Sequence, residues 1–163
     1  MLQDMPSAQA RRIEVKHSKY LTARDFKDGN FILTGSGRAN PWMALFEPSL
    51  NFRFVDGNLH NVSPKAGELD SFSFPAGDRT DIARIAYLPN LSNTGFVLLA
   101  AGFSAEGTEG AGEFMLRRDS LPLVRQTLGL KPGEKLPPFE IVFEVTKLGG
   151  TSRSTRIVAS RRH

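Results

Sequence analysis

Two glycine turns carry the residues best suited to chemistry. The first, Gly35-Ser36-Gly37-Arg38-Ala39-Asn40-Pro41, follows the β-forming run Phe31-Ile32-Leu33-Thr34; the second, Gly102-Phe103-Ser104-Ala105-Glu106-Gly107-Thr108, follows Phe96-Val97-Leu98-Leu99-Ala100-Ala101. Each turn leads into a helix signal. A strand that passes through small residues into a helix aims free backbone N–H groups and a helix dipole into a crevice, where an anion is stabilised. Gly35, Ser36, Gly37, Arg38, Asn40, Gly102, Gly107 and Thr108 therefore form the candidate ligand-binding set. Within it, Arg38 supplies bidentate hydrogen bonds for a carboxylate or phosphate. The competing reading treats both turns as tight strand-to-helix corners, with Arg38 packed over Trp42 or paired with a carboxylate.

Other chemistries fit less well. Gly102 and Gly107-Thr108 have the glycine spacing of a P-loop but lack its lysine, and neither turn is a G-x-G-x-x-G fingerprint with an acidic residue about 20 positions on. Ser36 lies between two glycines, which is not the G-x-S-x-G elbow, and His17 and His60 fall in expected surface segments. No catalytic set is assigned on this basis. The alternative is a hydrolase or transferase using Ser36, Arg38 and Glu106, and it requires Glu106 to enter the same pocket as Ser36. Glu106, Glu109 and Glu113 offer paired carboxylates for acid/base work or magnesium, but carboxylates near a helix start are also favoured by the dipole alone. With no cysteine and three histidines outside any ligand spacing, no metal and no cofactor are assigned.

Basic residues gather near both ends, at Arg11, Arg12, Lys16 and Lys19 and again at Arg153, Arg156, Arg161 and Arg162. They read as a phosphate or nucleic-acid face, or as solvated termini that aid solubility. Without a recognisable nucleic-acid fold or aromatic stacking platform, nucleic acid is the weaker partner. A small anionic molecule or a partner protein is the stronger one, and the oligomeric state is left open.

The elements that must position these groups follow from patterning. Ile13 and Val15 begin a short strand, and Thr22 with Asp25 makes a capping box opening a short helix that Gly29 ends. Phe31 to Leu33 and Phe96 to Ala101 lack alternation, as expected of inner strands covered on both faces. Asn40 caps a helix with Pro41 at its first position, an aspartate should serve there equally well, and Trp42, Met43, Leu45 and Phe46 form the buried stripe until Pro48 stops it. Asn51 to Phe54 is a strand turning at Asp56-Gly57-Asn58, with Ser71 to Phe74 as an edge piece. Ile82 to Leu88 pairs antiparallel with Phe96 to Ala101 across a short connection. Thr108 caps one helix, in which Gly110 and Gly112 permit close backbone approach, and Ser120 caps a second that Gly129 ends. Phe139 to Val145 and Thr155 to Ala159 form a β-hairpin.

At 163 residues, 40% hydrophobic and 23% charged with a net charge of +4, the chain fits one globular unit. Residues 1–12 read as a flexible linker and 13–163 as a single α/β domain, a layered sandwich with a mixed central sheet, helices on its faces and a C-terminal β-hairpin. No apolar run approaches the roughly 20 residues needed to span a bilayer, and the start is not a signal peptide, so the chain reads as soluble and, by default, cytoplasmic.

The turn Gly35-Ser36-x-Arg38-x-Asn40-x-Trp42 and the run Ala101-Gly102 to Gly107-Thr108, continuing through Ala111 to Phe114, resemble a family of uncharacterised bacterial α/β domains. The likeness covers about Tyr20 to Ala159. In that family the domain usually forms the C-terminal part of longer regulatory or membrane-anchored proteins. The resemblance therefore implies a sensory or regulatory ligand-binding module and brings no established activity with it.

Overall fold

In the computed structural model the described residues are 13–73, 79–149 and 151–163. The expected linker over residues 1–12 lies outside them, as does Phe74. Eight strands and two α-helices are described: β1 Phe31–Thr34, β2 Phe52–Val55, β3 Asn58–Asn61, β4 Ser71–Phe72, β5 Thr80–Pro89, β6 Phe96–Gly102, α1 Ala105–Leu116, α2 Ser120–Thr127, β7 Phe139–Leu148 and β8 Thr151–Arg162. Short 3₁₀ turns at Ser18–Tyr20, Ala23–Lys27, Pro41–Leu45 and Glu47–Ser49 complete the N-terminal half.

One sheet runs β1-β6-β5-β7-β8 and is mixed, because β1 is parallel to β6 while the remaining pairs are antiparallel. The other runs β2-β3-β4, all antiparallel, and turns at Asp56-Gly57 as the sequence suggested. In β5 and β7 the side chains alternate between two buried surroundings. Ala83, Ile85, Ile141, Phe143 and Val145 meet Ala111 and Phe114 of α1 and Val124 of α2. Ala86 and Leu88 join Val97, Leu99 and Ala101 of β6 beneath Phe26, Met43, Phe46 and Leu50, while Ile82, Val142 and Ala159 meet Phe52, Leu59 and Phe72 of the smaller sheet. A 3₁₀ turn of a few residues has no stability of its own. Burial of Phe26 in the Ala23–Lys27 turn and of Met43 in the Pro41–Leu45 turn, each worth about 1.5–3 kcal/mol, holds those two in place.

Several local expectations change. The strand Phe31–Thr34 is an edge strand, not an inner one, and Ile32 is 47% exposed. Its unbroken apolar run marks a partly covered edge beside β6. No strand forms at Ile13 and Val15, which are both exposed. After Asn40 the chain makes a 3₁₀ turn with Leu45 facing out, and Pro48 lies inside the next turn, since a fixed proline φ suits the start of a turn as well as the end of a helix. The C-terminal hairpin is longer than its alternation predicted. β-bulges between Val142 and Phe143 and between Thr146 and Lys147 absorb the irregular stretch, and the turn closes at Gly149 with φ +62°.

Candidate functional site

Parallel pairing of β1 with β6 matches Thr34 to Ala100, so both strands end at the same edge of the sheet and both glycine turns begin there. Gly35 keeps this contact by donating its N–H to Ala100 O at 3.0 Å. Its φ of +109° needs a residue without a Cβ. Beyond it, Ser36 O accepts from the N–H groups of Ala39 and Asn40, and Ser36 Oγ accepts a long bond of 3.4 Å from Ala39 N. Gly37, Arg38 and Ala39 are exposed. Asn40 is buried and works in two directions: Oδ1 accepts from Trp42 N at 3.3 Å, the expected cap, and Nδ2 donates to Thr34 O at 3.2 Å. Trp42 is half-buried against Phe26 and donates its indole N–H to Ser18 O at 2.8 Å.

The second turn is built differently. Ser104, not Thr108, caps α1, its side chain accepting from Gly107 N. Thr108 stands a turn inside the helix, where its hydroxyl accepts from Gly102 N and donates to Ser104 O, both at 3.1 Å. The position an anion would take at the N-terminus of α1 is filled by Asp81, only 2% exposed. Its Oδ2 accepts from Ser104 N and Gly107 N at 3.1 Å and from the Ser104 hydroxyl, while Oδ1 accepts from Ile82 N at 2.6 Å. Protein carboxylate and helix dipole thus satisfy one another. A Cβ at Gly107 would stand 2.6 Å from Asp81 Oδ2, and one at Gly102 would strike the backbone of Gly107 and Thr108. Gly110 likewise lies against Val145, whereas Gly112 faces open space and did not need to be glycine for packing.

The remaining carboxylates of α1 have local partners. Glu106 has its pKa lowered, first by a hydrogen bond with Ser104, and Glu109 and Glu113 accept from Ser152 N and Ser152 Oγ on β8. Ser36 and Glu106 share no hydrogen bond among the described residues. Nor do those residues include a cluster of three or more His, Cys, Asp or Glu able to hold a metal ion.

Buried charge appears where the sequence reading did not look. Arg84 on β5 is fully buried; it forks onto Glu47 at 2.6 and 3.1 Å and donates to Phe52 O, with its guanidinium 5.1 Å from the Phe54 ring. Glu140 on β7 is also fully buried, accepting from Asn51 N at 2.6 Å and Phe52 N at 2.9 Å, with His163 Nε2 at 2.8 Å. The peptide groups of Phe52 are held from both sides, which fixes the start of β2 against the larger sheet. A signal was available: one charge inside the apolar runs Ile82 to Ala86 and Phe139 to Phe143 is costly unless paired, and so marks a position with a partner.

A further ion pair lies beside this network. Arg161, with 11% side-chain exposure, forks onto Glu68 at 2.7 and 3.2 Å, and also donates to Asn61 Oδ1 at 3.1 Å and Ser63 O at 2.9 Å. The hydrogen bond from Arg161 leads the shift that holds Glu68 near a pKa of about 2. Next to it opens a hollow of about 380 Å³.

No family model, curated protein or solved structure matches the chain. Among the described residues, no helix is long and apolar enough to cross a membrane.

Proposed function

We propose that the chain is a noncatalytic sensory or regulatory module of the α/β layered-sandwich type, binding a small anionic ligand at the edge where β1 and β6 end. The observation that supports this reading is the parallel β1–β6 pairing, which starts both glycine turns from one edge. Asp81 already occupies the α1 N-terminus, so the ligand's charge falls to the Gly35–Asn40 turn, with Arg38 exposed beside it. Gly102, Gly107 and Thr108 act in this proposal as the wall behind the turn. The resemblance to uncharacterised bacterial α/β domains belongs to the same proposal, in which a longer regulatory or membrane-anchored protein would pass the binding event on.

The test is thermal and chemical denaturation against a panel of carboxylates, phosphates, sugars and nucleotides. A specific ligand at 100 times its dissociation constant stabilises by about 2.7 kcal/mol. Arg38→Ala should abolish that gain while leaving the unliganded stability within about 1 kcal/mol, because an exposed arginine contributes little to folding. A gain that survives Arg38→Ala defeats the assignment of the site.

A further inference from the structure

The hollow beside Arg161 gathers basic side chains from separate elements. Arg53 comes from β2, Lys65 from the connection after β3, and Arg162 from the end of β8, with His163 also in the lining. Unlike charges strung along one solvated terminus, these meet only because the fold brings them together. Glu68 offsets Arg161 and Glu134 offsets Arg162, so the positive charge left for an anion is that of Arg53 and Lys65.

The nearby carboxylates are already engaged. Glu68 is neutralised by Arg161, Glu140 is held by two backbone N–H groups and His163, and Glu134 pairs with Arg162 at 2.7 Å. Among the described residues neither Arg53 nor Lys65 has a carboxylate partner. Arg53 is nevertheless fixed in place: Nε donates to Leu50 O and Nη2 to Pro48 O, each at 2.7 Å, which orients the guanidinium and leaves Nη1 uncommitted. The Lys65 backbone is fixed too, its N–H donating to Glu68 Oε2 at 2.8 Å, while its side chain is exposed. Arg161 holds the floor through Glu68, Asn61 and Ser63 and has no donor to spare for a ligand except a buried Nε.

We propose that this hollow is a second, separate binding site, for a small molecule bearing a phosphate group, which Arg53 and Lys65 hold from two sides. A planar guanidinium and an ammonium on one rim suit a phosphate's three oxygens, and a volume of about 380 Å³ is in the range of small-molecule sites. The proposal does not depend on the β1–β6 edge.

Titration of the amide-labelled protein with pyrophosphate, followed by NMR, tests it. Saturable shifts are expected at Arg53, Ser63 and Lys65. Lys65→Glu should weaken binding by about tenfold or more, the loss of one good charge-assisted contact. Arg53→Ala should do the same, and since it also frees two carbonyls, the exposed Lys65 variant keeps the test decisive if Arg53→Ala fails to fold. Arg38→Ala should leave this binding unchanged. Shifts confined to Gly35–Asn40, shifts that do not saturate, or an affinity indifferent to Lys65→Glu would overturn the proposal. So would a single-stranded oligonucleotide binding far more tightly than pyrophosphate with shifts spreading beyond the hollow, which points to nucleic acid instead.

Discussion

The two glycine turns have nearly the same sequence grammar and opposite interiors. At the first, a Cβ on Gly37 would meet nothing within 4 Å, and only Gly35 is constrained, by its φ of +109°. At the second, the glycines are where backbone meets backbone and where a helix start closes over Asp81. A glycine turn therefore marks close approach without saying what approaches. At Gly37–Ala39 it is solvent; at Gly102–Thr108 it is the protein's own backbone and carboxylate.

Urea denaturation of substitutions in the two turns can break this contrast or sharpen it. The largest effect is expected at Gly102→Ala, where the new methyl group meets backbone that cannot swing aside, at a cost of about 3 kcal/mol or more. A loss under 1 kcal/mol there means the second turn is as open as the first. Asp81→Ala should follow at about 2–4 kcal/mol, because it strands the N–H and hydroxyl of Ser104 at the head of α1 and leaves the buried Gly107 N–H only its longer bond to Ser104 Oγ. If added formate or acetate restores part of that loss, the α1 N-terminus is shown to be an anion position that the chain fills for itself.

Effects at the first turn should be smaller. Asn40→Ala is expected to cost about 1–2 kcal/mol through the lost cap and the lost bond to Thr34 O. Asn40→Asp should cost about as much, contrary to the equal service expected from capping alone, because Nδ2 also donates to Thr34 O and a carboxylate oxygen there would face a carbonyl. Stability equal to wild type in Asn40→Asp would show that the second bond contributes nothing. The smallest change should be Gly37→Ala, within about 0.5 kcal/mol, since the site is open. A loss above 1 kcal/mol would place hidden packing at the first turn and remove the contrast.

Much of the local architecture was legible beforehand. The capping box of Thr22 and Asp25, the Asp56-Gly57 turn, the antiparallel β5–β6 pair, Gly129 behind α2 and the C-terminal hairpin all follow from residues close in sequence. Misreadings fell where two local rules competed. Thr108 and Ser104 both suit an N-cap, and the hydroxyl nearer the strand took it. An unbroken apolar run suits an inner strand or a sheltered edge, and β1 proved the latter.

The residues 1–163 by themselves determined the periods of their strands, where the chain turns, and which small residues permit close contact, because these depend on dihedral preferences and side-chain alternation within a few positions. Only the tertiary structure decided which groups meet. Asp81 reaches the head of α1 from 23 residues before Ser104, Glu140 bonds Phe52 N across 88 residues, and Arg161 joins Glu68 across 93. Such partnerships are set by strand order and register. A charge inside an apolar strand announces that it needs a partner, and the fold alone says which one it finds.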